Sequence, residues 1–174
     1  MWGARTLHGL LSDCAKDRPD ALAVADQPNR AELTGEEPRR LTFRQLDEAS
    51  DTLAATLLAQ GIGAGNRVMV QLPNITELVV CYYALSKLGA VISPVPVQYG
   101  SHELQNLAEA LGTDAMISVT RFRDQPLAEH AAGALNRVPV LAFGRELGLE
   151  SDRADAEARR ALHEYRATIG DDAN

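Results

Sequence analysis

The sequence predicts an α/β fold: a doubly wound, mainly parallel sheet with helices on both faces. Short apolar runs rich in β-branched residues alternate along the chain with segments of helical periodicity. This alternation specifies a parallel sheet covered by its crossover helices. The segment 75–88 is apolar nearly all round, which predicts a helix buried on most sides. At 174 residues, the chain is long enough for one domain with a sizeable core.

The N-terminal region predicts a short helix, a strand and a loop. Apolar residues recur there at the spacing of one helix face, namely Leu7, Leu10, Leu11 and Cys14. Pro19 ends this helix, because the residue before a proline avoids helical angles. Residues 21–25 then predict a strand, and the polar stretch 26–40, which has no periodicity, predicts a surface loop.

Two capping boxes are predicted at helix starts. Thr42 with Gln45 three residues later opens the first long helix. Asn74 with Glu77 has the same spacing and predicts a second box at the start of the apolar helix 75–88.

The rest of the chain continues the alternation. Strands are predicted at 68–72, 90–95, 115–119 and 138–143, and helices at 101–111, capped by Ser101, and at 125–135. The tail 151–168 is charged, with a weak apolar stripe at Ala154, Ala158, Leu162 and Tyr165, so it predicts either a surface helix or a segment that awaits a partner. We divide the chain into an N-terminal helix (1–20), an α/β scaffold (21–143) and a charged helical tail (144–174).

Composition excludes several classes of function. The net charge of −7 argues against nucleic acid or an anionic membrane surface as partner, since both require clustered Lys and Arg. The most apolar stretch, 78–97, is interrupted by a lysine, a glycine and two prolines and predicts no membrane span. Cys14 and Cys81 are far apart, which fits two free thiols in a reducing cytoplasm.

The glycine-rich segment 61–65 (GIGAG) raises the question of a nucleotide site. A phosphate-binding glycine loop follows a strand and opens a helix, so that the backbone amides face the anion. Here the order is reversed, because a predicted helix precedes the glycines and a strand follows them. The segment therefore predicts a helix end and a turn.

No catalytic constellation is indicated by spacing alone. None of the histidines, among them His102 at a predicted helix start, has a second His or a Cys at metal-ligand spacing. There is no G-x-S-x-G nucleophile elbow. From residue chemistry only, we assign neither a catalytic residue nor a metal ligand.

Five segments in register nevertheless resemble one family, the AMP-forming acyl-CoA synthetases. In order, they are 40–47 (RLTFRQLD), 61–68 (GIGAGNRV), 71–74 (QLPN), 85–94 (LSKLGAVISP) and 95–104 (VPVQYGSHEL). The last is similar to the branch of cyclohexanecarboxylate-CoA and fatty-acyl ligases. Asn66 stands where the family usually has Asp.

The resemblance implies a two-step reaction in which a carboxylic acid and ATP give an acyl-adenylate, and CoA then releases AMP. It implies that the parent enzyme uses ATP, Mg²⁺ and CoA. It also implies that the phosphate loop lies in a further ATP-binding domain and the catalytic lysine in a C-terminal domain, and that these two domains are the partners of this chain. Residues 170–174 resemble the acidic segment before that loop. We expect this chain alone to be inactive and to bind no cofactor tightly.

The resemblance also implies a CoA-binding edge formed by Tyr99, Gly100, Arg121 and Arg123. Both arginines follow the predicted strand 115–119 at its carboxyl end, where such sheets bind ligands, and a guanidinium suits phosphate. The alternative interpretation is that both arginines are solvated charges on a surface loop.

Two further readings stay open: a non-enzymatic acyl- or CoA-binding module, and one subunit of a split ligase. The sequence identifies neither the acid nor the oligomeric state, and a homodimer is compatible with it.

Overall fold

A four-stranded parallel sheet forms the centre of the chain. In the computed structural model, which describes residues 6–149 and 156–170, the strand order is β4-β3-β5-β6. The strands are β3 (Arg67–Gln71), β4 (Val91–Pro94), β5 (Ala115–Val119) and β6 (Val140–Phe143). A separate antiparallel pair joins β1 (Leu22–Ala25) to β2 (Arg40–Thr42). The predicted parallel α/β fold is confirmed.

Helices cover both faces of this sheet. They are α1 (Leu7–Asp17), α2 (Arg30–Thr34), α3 (Phe43–Ala59), α4 (Thr76–Leu88), α5 (Ser101–Leu111), α6 (Leu127–Ala134) and α7 (Ala156–Ile169). Because strand side chains alternate between faces, Val68 and Ile117 pack in the same apolar cluster as α3 and α4. Met69 and Met116 point the other way and pack with α5 and α6.

The strand order creates a switch point at the carboxyl edge of the sheet. β3 and β5 are neighbours, but the chain leaves β3 for α4 on one face and leaves β5 for α6 on the other. Loops that diverge in this way leave a crevice between the two strand ends, which is where open α/β sheets bind ligands.

The predicted surface loop 26–40 is wrong in part, because it contains the short helix α2 and a buried charge cluster. The Arg30 side chain is 1% exposed, and its two terminal nitrogens lie 2.5 and 2.8 Å from the Glu77 carboxylate oxygens. Asp26 accepts a third bond from Arg30 at 2.5 Å. A five-residue helix is too short to show periodicity, and the sequence gives no sign that its arginine is neutralised by distant carboxylates.

The second predicted capping box is also wrong. Ile75 is the N-cap of α4 and makes no side-chain capping bond. Instead, Asp26 Oδ1 accepts from the Thr76 N–H at 2.7 Å and from the Thr76 hydroxyl at 2.8 Å, so a residue distant in sequence caps the helix. Glu77 is thereby left to pair with Arg30.

The other caps follow the sequence more closely. Thr42 and Gln45 form the predicted capping box, with bonds of 2.9 and 3.3 Å. For α5, the N-cap is Gly100 and Ser101 is the first helical residue, so the predicted Ser101 cap is displaced by one position.

Helix α7 packs against the scaffold. Leu162 is 4% exposed, and Ala158 and Tyr165 contact the same cluster as α3 and α4, whereas Ala154 lies outside the described residues. The Tyr165 hydroxyl accepts from the Ala64 N–H and donates to the Leu88 carbonyl at 3.0 Å. None of the helices in the described part of the chain has the length and apolar composition that a membrane crossing requires.

Candidate functional site

The glycine turn 61–65 uses its own amides and is not a phosphate site. The Gly63 N–H donates to Asn66 Oδ1 at 2.8 Å, the Ala64 N–H to the Tyr165 hydroxyl, and the Gly65 N–H to the Gly89 carbonyl at 2.9 Å. Gly61 and Gly65 have φ angles of 82° and 80°, which glycine adopts without strain. The predicted helix end and turn are confirmed.

A cleft of about 650 Å³ lies at the switch point of the sheet. We call it the switch-point cleft. It is lined by Gln71 at the end of β3, by residues 97–101 between β4 and α5, and by residues 122–125 between β5 and α6. Leu104 and Leu127 add apolar surface. This volume lies within the usual range for small-molecule sites.

Gln71 ties one rim of the cleft to the sheet. Its side chain is buried, and its Nε2 donates to the carbonyls of Pro96 at 3.1 Å and of Tyr99 at 3.0 Å. The Oε1 atom is buried as well and has no hydrogen-bond partner in the part of the chain that the structure describes. An unpaired buried acceptor costs about 1–3 kcal/mol, so the bonds of Nε2 hold the rim at some cost in stability.

Sequence reasoning missed Gln71 as a site residue. The available signal was a polar side chain at the end of an otherwise apolar, buried strand. Its pairing with the loop after β4 depends on the fold and is not visible in the spacing.

The structure brings three of the four predicted CoA-site residues to the cleft. Tyr99, Gly100 and Arg123 line it, whereas Arg121 is not among the lining residues. The Arg121 Nε donates to the Arg123 carbonyl at 2.5 Å, so the two arginines are adjacent. Their role in binding stays a prediction.

Arg123 has an unusual backbone for its type. Its φ is 52°, in the left-handed region that few non-glycine residues occupy. The Arg123 N–H donates to the Leu33 carbonyl of α2 at 2.6 Å, which holds this conformation. The Arg123 guanidinium lies 5.5 Å from the centroid of the Phe122 ring, within cation–π range.

Charges at the cleft are mixed. The start of α5 contributes a partial positive charge, but the Gly100 N–H already donates to the Glu103 carboxylate at 3.0 Å, and Asp124 also lines the cleft. An anionic group would therefore depend on the exposed arginines. Within residues 6–149 and 156–170, no group of three or more His, Cys, Asp or Glu side chains is placed to hold a metal ion.

Comparison with known proteins decides the family. A family model described as "AMP-binding enzyme" matches residues 12–169.

The chain belongs to the AMP-binding enzyme family. The resemblance seen in the five sequence segments is thus confirmed at the level of the family.

Relatives within this family differ in the product that their names state. Over 90 residues, the chain is 42% identical to a salicyl-AMP ligase / salicyl-S-ArCP synthetase of Mycobacterium tuberculosis, covering 52% of this chain and 15% of that protein. Over 141 residues, it is 28% identical to a medium-chain fatty-acid–CoA ligase of Escherichia coli, covering 81% and 23%. The crystal structure of VinN matches with a TM-score of 0.67 and 24% identity, covering 93% of this chain and 38% of VinN, and this likeness supports the fold. The chain therefore spans less than a quarter of the length of these two curated relatives.

Proposed function

We propose that this chain is part of an ATP-dependent acyl-CoA ligase and forms one wall of the opening through which CoA enters. The observation that carries the proposal is the switch-point cleft, with Tyr99, Gly100 and Arg123 on its lining and Arg121 beside Arg123. The similarity to a fatty-acid–CoA ligase over 81% of the chain supports it.

In the proposed reaction, a carboxylate oxygen attacks the α-phosphate of ATP, and pyrophosphate leaves. The CoA thiol then attacks the acyl carbon of the adenylate and releases AMP. Such steps depend on donors and cations that are already positioned around the phosphates. The described residues of this chain contribute no such phosphate loop, so we assign them to binding and support.

The arginines supply the positive charge of the proposed wall. A guanidinium offers two parallel N–H donors to a phosphate, and both Arg121 and Arg123 are exposed. Glu103 and Asp124 lie at or near the same cleft and would repel a phosphate placed beside them. We therefore expect moderate affinity, with the phosphate close to the arginines.

The test is a double Arg121→Ala, Arg123→Ala variant of the whole ligase. We expect the KM for CoA to rise about tenfold, equivalent to about 1.4 kcal/mol, while acid-dependent ATP–pyrophosphate exchange stays unchanged. Arg137→Ala is the matched control, because Arg137 is exposed on the loop before β6, at the opposite edge of the parallel sheet. An unchanged KM for CoA in the double variant would show that the arginines are ordinary surface charges.

A second candidate differs in the thiol acceptor. The 42% identical relative is named a salicyl-S-ArCP synthetase. The second candidate function is therefore a ligase that transfers the acyl group to ArCP instead of CoA. Offering each acceptor to the whole enzyme with one acid distinguishes the two. Thioester on CoA supports the first proposal, and thioester formed only on ArCP supports the second.

We also expect the protein to work in a reducing compartment such as the cytoplasm. Cys14 and Cys81 are both free, and Cys81 is buried.

A further inference from the structure

We propose that the groove between α3 and α7 binds a phosphate group, at a site separate from the switch-point cleft. Two adjoining depressions lie along α7, and both are lined by His163 and Arg166. The smaller, of about 130 Å³, also borders Arg159 and Asp51 of α3. The larger, of about 340 Å³, reaches the end of α7. None of these residues lines the switch-point cleft, so the inference does not depend on the proposed CoA edge.

Three basic residues, which we call the basic stripe, share one face of α7. Arg159, His163 and Arg166 are four and then three residues apart, so they follow one another along the same side of the helix. All three line the smaller depression. Arg160 lies outside this face, because its side chain is 81% exposed and pairs with Glu164 at 3.0 Å. The solvated face of α7 therefore balances its own charge, whereas the face toward the groove is basic.

Two members of the basic stripe have donors to spare. Arg166 is half-buried and His163 is exposed, and neither side chain makes a hydrogen bond or an ion pair among the residues that the structure describes. Arg159 Nη2 lies 3.5 Å from the Thr52 hydroxyl, which places this guanidinium on the α3 side of the groove. A guanidinium has five N–H donors, so Arg166 can offer a pair of them to an anion in the depression.

The carboxylate that borders the smaller depression is neutralised in part. Asp51 lies 2.7 Å from Lys87 Nζ, which is 2.7 Å from Asp47 as well. Two guanidinium groups thus face one partly compensated carboxylate, and the groove is locally positive in a chain of net charge −7. A phosphate suits this arrangement better than a carboxylate does. Two of its oxygens match the fork of Arg166, and a further oxygen is left to accept from the His163 ring.

The test adds inorganic phosphate to the full 174-residue chain, with chloride keeping the ionic strength constant. The amide signals of residues 159–167 and the ring signals of His163 are followed by NMR. We expect shifts that saturate in the millimolar range and are confined to α7 and the turn of α3 around Asp51. Chloride alone should produce no saturable shift.

Glycerol 3-phosphate is the second probe and distinguishes two sources of the phosphate group. Tighter binding than inorganic phosphate would indicate a phosphorylated small molecule, the rest of which occupies the larger depression. Equal binding would indicate free phosphate. Both results support the site.

An Arg166→Gln variant should weaken phosphate binding about tenfold, equivalent to about 1.4 kcal/mol, because the fork of donors is lost. Arg166 also lies in the last turn of α7, where a cation is favoured by the helix dipole, and that role alone would leave phosphate binding unchanged. Arg160→Gln is the matched control, since it removes the same charge from the same helix outside the basic stripe.

Two results would overturn the proposal. One is the absence of a saturable shift in the wild-type chain with both phosphate probes. The other is equal weakening by Arg166→Gln and Arg160→Gln, because binding would then respond only to the net charge of the helix. The wild-type comparison of phosphate with chloride decides the question even where a variant does not fold. CoA enters neither measurement, so failure here leaves the proposed function standing.

Discussion

At the scale of single residues, Asp26 joins three segments through one carboxylate. One oxygen accepts from the Arg30 guanidinium and from the Arg39 N–H at 2.8 Å, and the other caps α4 at Thr76. Burial by itself would raise the pKa of the Asp26 carboxyl, but these hydrogen bonds outweigh it and hold the pKa below its usual value. Asp26 thus ties the segment before α2 to the start of α4.

An Asp26→Asn substitution should lower the free energy of unfolding by about 3 kcal/mol at neutral pH, because it leaves Arg30 without one of its buried carboxylates. The lowered pKa sets the sign of the pH dependence. The stabilisation is complete above the unfolded-state pKa of about 4 and is lost as pH falls through the lower folded-state value.

Urea unfolding of both proteins at pH 7 and at pH 3 measures this difference. Asp20→Asn is the control, since the Asp20 side chain is 85% exposed and forms a surface ion pair with Arg44. A difference between wild type and Asp26→Asn that grows on acidification would contradict the prediction.

At the scale of secondary-structure elements, the sequence predicted α7 but left its position open. The stripe of Ala158, Leu162 and Tyr165 fitted either a surface helix or a segment for a partner. The structure places it against the scaffold, where Tyr165 joins the glycine turn to the end of α4 through its hydroxyl. The apolar stripe packs in the core cluster, and the two hydrogen bonds of the Tyr165 hydroxyl add to that packing in a way that periodicity does not predict.

A Tyr165→Phe substitution should lower the free energy of unfolding by about 1–2 kcal/mol, because two hydrogen bonds are lost. The Ala64 amide, which donates to this hydroxyl, should exchange its proton faster with solvent. Hydrogen exchange and urea unfolding measure the two effects. Tyr82→Phe serves as the control, since Tyr82 is half-buried and its hydroxyl makes no hydrogen bond within the described residues. Unchanged Ala64 exchange in Tyr165→Phe would show that the hydroxyl does not hold the turn.

The ion pairs of Lys87 could not be predicted from helix α4 alone. Its position in the last turn of α4 suits the helix dipole, as the sequence suggests for any cation there. In the structure it is 1% exposed and lies 2.7 Å from both Asp47 and Asp51 of α3. The two aspartates are one helical turn apart, so they face the same lysine, but only the packing of α3 on α4 brings the three together.

At the scale of the whole molecule, alternating periodicity was sufficient to predict the sheet. Strand 115–119 has the predicted bounds, and all four strands of the parallel sheet were expected near their observed positions. The site was less predictable. Tyr99, Gly100 and Arg123 share the cleft because strand ends meet at one edge. The contacts of Gln71 were not predictable, because they depend on how the loop after β4 folds over the end of β3.

The purified chain should catalyse no ATP–pyrophosphate exchange above a blank without protein, with any carboxylic acid. The physical reason is that the amides of Gly63, Ala64 and Gly65 are already bonded within the chain, so they offer no site for phosphate. The medium-chain fatty-acid–CoA ligase of Escherichia coli, a relative in the same family, is a suitable positive control. Exchange that follows the chain through purification would contradict this expectation.

The left-handed backbone conformation of Arg123 at the cleft has a mechanical consequence. The Arg123 N–H is bonded to the Leu33 carbonyl, so the rim between β5 and α6 and the short helix α2 are linked across a long stretch of sequence. Any outward swing of that rim must either carry α2 with it or break the bond. Through Asp26 and Arg30, the same chain of hydrogen bonds reaches α4, so the width of the entrance is coupled to two helices that do not line the cleft.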